Sequence, residues 1–125
     1  MVGDSRIDPW SSQQSTDYER ITNNFGLSKI DISKIPNPNL LHRRGIIFAH
    51  RDLDTILGRI NHGEDFGVLT GLMPSGKMHL GHSMVINQVK WFQDQGGDVT
   101  VTVADLEALA TRNVSLEEGL SLIHI

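Results

Sequence analysis

Residues 66–104 read FGVLTGLMPSGKMHLGHSMVINQVKWFQDQGGDVTVTVA, and the order of patterns inside that stretch decides the fold. Phe66 to Thr70 is a short apolar run and predicts a strand. Gly71 to Met78 gathers Gly, Pro and Ser and predicts a loop. From His79 to about Gln95 the residues suit a helix, which Gly96-Gly97 terminates, and Asp98 to Ala104 (DVTVTVA) is a β-branched strand. Strand, loop, helix and strand in about 40 residues make a βαβ unit, the building block of a parallel sheet with a right-handed crossover. Met84, Val85, Ile86, Val89, Trp91 and Phe92 cover much of the helix, which predicts burial on more than one side. The expected class is α/β.

Upstream, Gly45 to Ala49 reads as a strand. Leu53, Ile56, Leu57 and Ile60 then fall at i, i+3, i+4 and i+7, one helix face, with Asp52 as N-cap and Gly63 as stop. His50-Arg51-Asp52 is read as capping that helix. Tyr18, Ile21, Phe25 and Leu27 give a weaker amphipathic pattern that Gly26 interrupts, and Pro36-Asn37-Pro38-Asn39 forces a turn. Residues 1–14 are polar and rich in Ser and Gln, an entry segment with Trp10 as packing anchor. The expected organisation is an N-terminal extension, 1–44, followed by the first part of a Rossmann-like domain, 45–125.

After Asp105 the chain passes through Leu106 to Asn113 to a capping box in which Ser115 and Glu118 stand as S-x-x-E, where a second helix should start. Only Gly119 to Ile125 remain after it, too few to nucleate a helix. The chain is therefore expected to be truncated and marginally stable alone, with residues 119–125 suspect as native sequence.

Composition narrows the chemistry. Residues 1–50 carry six Lys/Arg against five Asp/Glu, whereas 51–125 carry five against ten. No basic face advertises nucleic-acid binding by bulk charge, so an RNA partner would dock mainly elsewhere. The chain has no cysteine, which excludes disulfides, thiol nucleophiles and zinc knuckles within it. Neither a secretory signal nor an apolar run long enough to span a bilayer is present, so no membrane association is expected and cytoplasmic location is the default.

Chemistry concentrates at His79-Leu80-Gly81-His82, where strand and loop become a helix. In helical geometry the two imidazoles, at i and i+3, project from one side of the first turn. Gly81, lacking a β-carbon, leaves room for a flat adenine or ribose to lie on the backbone. The helix N-terminus favours a triphosphate, so the turn suits electrostatic catalysis at an attacked α-phosphate. Taken alone, a His pair at this spacing is also a surface coincidence or a metal pair; no Cys or third suitably placed His or Glu accompanies it, and no metal site is expected.

Pro74-Ser75-Gly76-Lys77-Met78-His79-Leu80-Gly81-His82 resembles the first signature of class I aminoacyl-tRNA synthetases. The resemblance implies that His79 and His82 are catalytic and that Gly71, Pro74, Ser75, His79, Gly81 and His82 bind ATP, which arrives with Mg2+. The aromatic-Asp motif that other H-x-G-H nucleotidyltransferases carry just upstream is missing. Ile7-Asp8-Pro9-Trp10, Asp17-Tyr18, Phe25-Gly26, Ser28-Lys29-Ile30-Asp31 and Arg43 to Asp52 (RRGIIFAHRD) are similar to segments preceding the catalytic domain of archaeal and eukaryotic tryptophanyl-tRNA synthetases. That resemblance runs from about Ile7 to Glu118. It implies activation of tryptophan by ATP to the adenylate, transfer to tRNA(Trp), and a homodimeric full-length enzyme; a tyrosyl enzyme, another H-x-G-H nucleotidyltransferase or a non-catalytic binding module are the alternatives.

At the end of the second strand, Glu107 or Asp105 would hold the amino group of the amino acid by the same resemblance, with Asp105 as a simple loop cap the alternative. Arg43 and Arg44 are either a solvated pair or a phosphate or RNA contact. Leu69 stands near a position where eukaryotic relatives carry a polar aromatic against the indole, so the resemblance does not extend to indole recognition. The lysine-rich second signature of the class is not among these residues, and charging activity from residues 1–125 alone is not expected.

Overall fold

The computed structural model describes residues 18–123. Expectations placed on 1–17, the entry segment and the Trp10 anchor among them, and on 124 and 125 lie outside the described residues. Ten elements follow in order: α1 (Tyr18–Asn24), β1 (Ser28–Lys29), α2 (Leu40–Arg43), β2 (Ala49–His50), α3 (Leu53–His62), β3 (Gly67–Leu72), α4 (Leu80–Asp94), β4 (Asp98–Val103), α5 (Asp105–Arg112) and α6 (Leu116–Ile123). A single 3-10 turn, Ile32–Lys34, stands between β1 and α2; Asp31 opens it, accepting from the Ser33 N–H and hydroxyl, and those two donors hold its carboxyl below the usual carboxylate range.

The parallel pair is as the pattern predicts. β3 and β4 run side by side in the register Gly67↔Asp98 to Leu72↔Val103. The pairing is closed at both ends, where the Asp98 N–H donates to the Phe66 carbonyl and the Ala104 N–H to that of Leu72, each at 2.9 Å. β3 begins one residue later than expected and continues through Gly71 and Leu72, so Gly71 belongs to the strand, not the loop. Its missing side chain is used there: a β-carbon would stand 3.2 Å from Thr102 Oγ1, which donates to the Thr70 carbonyl.

Upstream, the strand expected at Gly45–Ala49 is confined to Ala49–His50, and it pairs antiparallel with β1. The cause is the exit from α2. Arg44 caps that helix and Gly45 turns left-handed, φ 65°, so an extended run cannot start there. α3 occupies the predicted face and ends on left-handed Gly63 as predicted. Its N-cap position is Asp52, but Asp52 is itself left-handed and its carboxylate makes no capping bond; His50 Nδ1 accepts from the Leu53 N–H instead, at 3.2 Å.

In the C-terminal part, Leu106 to Arg112, to which the sequence pattern assigned no element, lies within α5, whose Ala108 is fully buried. Ser115 does cap α6, its Oγ accepting from the Glu118 N–H at 3.1 Å. The helix expected to be too short forms nonetheless, with Gly119 buried beside Pro74. Tertiary packing supplies what length does not.

The apolar centre lies off the sheet, where three segments meet. Ile35 of the extension, Leu57 of α3 and Trp91 of α4 are its buried members, with Ile30, Leu53, Ile60 and Phe92 packed around them. α4 is less enclosed than its sequence predicts: Trp91 is 4% exposed, but Val85 and Ile86 are each 41% exposed. At the end of α4 the turn through Gly96 tucks Gly97 against the Phe66 ring and the Phe92 carbonyl. A β-carbon on Gly97 would come 2.7 Å from Phe66 Cε2 and 3.0 Å from the Phe92 carbonyl. Gly97→Ala should therefore cost about 1–3 kcal/mol by overpacking. Gly58→Ala, inside α3 and with nothing within 4 Å of the added carbon, should gain about 0.5–1 kcal/mol. Urea unfolding of the two variants measures both signs.

Candidate active site

β3 delivers the chain to a loop, Met73–Met78, whose course is set by a tight Met73–Ser75 turn and by Pro74, which is buried. Gly119 of α6 packs against that proline: its β-carbon would lie 3.6 Å from Pro74 Cγ and 4.0 Å from Asp105 Cβ. Pro74, Asp105 and Gly119 thus converge at the C-terminal edge of the parallel pair, the edge at which open α/β sheets take their ligands.

His79 is the N-cap of α4, not a member of its first turn. Its backbone is extended (φ −136°, ψ 178°), and the helix begins at Leu80. The two imidazoles cap the helix reciprocally. His79 Nδ1 accepts from the Gly81 N–H at 3.1 Å, and His82 Nδ1 accepts from the His79 N–H at 3.3 Å. Ser or Thr with Glu normally fills this capping box; here two histidines do. The rings lie together, centroids 4.0 Å apart.

This arrangement fixes a chemical polarity. A ring nitrogen that accepts from a backbone N–H carries no hydrogen, so the neutral imidazole keeps its hydrogen on Nε2. Both rings therefore present Nε2–H donors. Behind them is the positive end of a 15-residue helix with no acidic residue in its first turn. From Gly71 to Val89 the only formally charged side chain is that of Lys77, which is exposed on the loop. Donors, dipole and cation all favour an anion.

Gly81 has a steric role in the cap. A β-carbon there would sit 3.0 Å from Cε1 and 3.1 Å from Nδ1 of His79. The missing β-carbon of Gly81 thus makes room for the capping ring of His79. Ser75 is exposed on the loop and Gly71 lies in β3, backed by Thr102.

Of the two acidic candidates, Asp105 is brought to the loop through Pro74 and Gly119, while its Oδ1 accepts from the Leu106 N–H at 2.8 Å. Glu107, two residues along α5, is exposed. Arg43 and Arg44 are exposed at the end of α2 in the extension, and Leu69 is 73% exposed on β3. Among the described residues, no group of three or more His, Asp or Glu is placed to hold a metal ion. A hollow of about 530 Å³ lined by Tyr18, Ile46 and Phe48 lies between α1 and the chain leading into β2, away from the signature turn. Sequence reading missed Thr102 and Gly119. Both act by contact across long sequence separations, for which no local signal exists.

A family model for class I tRNA synthetases (W and Y) matches residues 61–121, the stretch from the end of α3 through α6 that holds this turn. The chain belongs to that family. Its curated relatives include the tryptophan–tRNA ligases of Methanosarcina acetivorans, 42% identical over 92% of this chain and 27% of that protein, and of Thermoplasma acidophilum, 46% identical over 90% and 26%. Among solved structures it is similar to the tryptophanyl-tRNA synthetase of Aeropyrum pernix, at 41% identity and TM-score 0.73 over 93% of this chain and 33% of that one. The synthetase of Plasmodium falciparum aligns at 31% identity and TM-score 0.74 over 86% and 32%. The chain spans about a quarter to a third of the length of these relatives.

Two outcomes follow from the capping geometry. In nitrogen-15 NMR, His79 and His82 in their neutral forms should both show the Nε2–H tautomer, each Nδ1 resonating as the unprotonated nitrogen. Gly81→Ala should displace the His79 ring, weaken the cap by about 0.5–2 kcal/mol and disturb that signature at His79.

Proposed function

We propose that this chain is the ATP-binding portion of a tryptophan–tRNA ligase, which activates tryptophan as the adenylate and transfers it to tRNA(Trp). The observation that carries the proposal is the reciprocal His79–His82 cap, which aims two Nε2–H donors outward from the N-terminus of α4. In the reaction, the tryptophan carboxylate attacks the α-phosphorus of ATP, the bond to the bridging oxygen breaks, and pyrophosphate leaves. Negative charge builds on the phosphate oxygens as this happens. Preorganised donors at a helix N-terminus stabilise that charge, and no covalent enzyme intermediate is required.

ATP enters as its Mg2+ complex, the ion travelling with the substrate. Gly71, Pro74 and Ser75 shape the approach to the phosphates, and His79, Gly81 and His82 form the receptor. Asp105 is the better placed of the two carboxylates to hold the amino group of tryptophan, because it and Pro74 of the signature loop both flank Gly119 of α6. Residues 1–44 serve as an extension and 45–125 as the start of the catalytic domain. The whole enzyme works as a cytoplasmic homodimer. No described helix is long and apolar enough to cross a membrane.

ATP–pyrophosphate exchange tests this reading, with the chain replacing the corresponding third of the Aeropyrum pernix synthetase. Exchange should depend on tryptophan and not tyrosine, and His79→Ala should lower it about 100-fold to 1,000-fold, as removal of one preorganised donor does elsewhere. Exchange with tyrosine would keep the mechanism and change the substrate. Nucleotide binding without exchange would reduce the chain to a binding module.

A further inference from the structure

A second pair of polar side chains joins the extension to the helix that carries the two capping histidines. His42 of α2 is 3% exposed, and its Nε2 lies 3.0 Å from the Gln88 side-chain amide on α4. Two atoms of the pair, His42 Nδ1 and Gln88 Oε1, are buried with no hydrogen-bond partner. Turning the amide over merely exchanges which amide atom is orphaned. The imidazole edge packs on Trp91, centroids 4.8 Å apart, and the Trp91 indole N–H donates to the carbonyls of Pro36 and Asn37, each at 3.1 Å.

We infer that His42 is a positioning residue whose neutral imidazole seats the extension on α4, and that protonation of this ring releases the extension from the helix bearing His79 and His82. The consequence for catalysis rests on the tRNA-ligase reading; the seating itself does not. A buried ring with one neutral partner has no anion to balance an added proton. Burial alone holds His42 below its ordinary value of 6.5, with no neighbouring charge contributing.

The charged groups around it supply no counter-ion. Arg43 follows on its own helix and Arg44 caps that helix, both exposed and both cationic. On α4, Lys90 and Asp94 are bonded to each other at 2.7 Å. Asn39, which precedes α2, offers its side-chain oxygen to the backbone N–H of His42, not to the ring. Nothing on either element is arranged to receive an imidazolium.

The sign follows from linkage. Unfolded or undocked chain binds the proton at about 6.5, whereas the seated ring resists it, so the undocked form holds more protons below that pH. Seating is complete above about 6.5 and weakens as pH falls from there toward the depressed value of the seated ring, by at most about tenfold per pH unit.

Hydrogen exchange on the full chain, corrected for intrinsic rates, reads this directly at the amides of residues 34–47 between about pH 7.5 and about pH 5.5. In the native chain their protection should fall while that of β3 and β4 holds. In the double variant His42→Leu/Gln88→Leu, an apolar pair of similar shape, it should be independent of pH. The double variant keeps His50, whose imidazole caps α3, so persistence of the pH effect would assign it to His50 and overturn the inference. Gln88→Glu keeps the histidine and supplies an anion that raises the seated ring toward or past its ordinary value, so it should shrink or reverse the loss of protection between these pH values; an unchanged loss, or flat protection in the native chain, would also overturn the inference. None of these readouts involves ATP, so failure here and failure of pyrophosphate exchange are separable.

Discussion

The burial of one indole organises the described structure. Trp91 belongs to the helix that presents the histidine turn, yet its ring is covered by residues from three segments. Its N–H is shared between two carbonyls of the Pro36–Asn37 turn, and its faces and edges meet His42 and Phe92. A buried indole needs an acceptor, and the turn provides it. Ile35 and Leu57 complete the enclosure. The parallel strands, by contrast, are held by their ladder and by glycines that permit close approach. The α4 helix is thus anchored at its C-terminal half by packing and left open at its N-terminal half, where chemistry requires access.

Glycine does different work at each of three points along this unit. At Gly97 it lets the chain pass under Phe66 and beside the Phe92 carbonyl on the way from α4 to β4. Gly71 gives room to the Thr102 hydroxyl, which binds the neighbouring strand. At Gly81 it lets the His79 ring fold back onto the helix start. In each case the constraint is steric and the backbone is not left-handed, so an alanine would be acceptable to the local conformation and refused by the neighbours.

The βαβ unit was legible because its signals are local: two short β-prone runs, a turn-rich loop and a Gly-Gly stop. The strand expected at Gly45 failed because an apolar run says nothing of the left-handed residue at its start. Asp52 was at the right position, but its own left-handed backbone handed the capping to His50. The histidine turn was legible from the sequence in its placement at a loop-to-helix junction. Its internal wiring was not, since capping by a ring nitrogen depends on the extended backbone of His79. That α4 would be partly buried could be read from its apolar residues, but not that the extension would cover it, because Trp91 and Pro36 are 55 residues apart.

The reciprocal cap also determines what kind of ligand the histidine pair accepts. Two imidazoles at i and i+3 would ordinarily chelate a cation, which requires a free lone pair on each ring. Here each Nδ1 lone pair is committed to a backbone N–H, and each Nε2 bears a hydrogen. A cation could gain coordination only by unravelling the first turn or stripping both rings of protons. The fold has thus converted a pair of bases into a surface of donors alone, selective for negative charge before any substrate arrives.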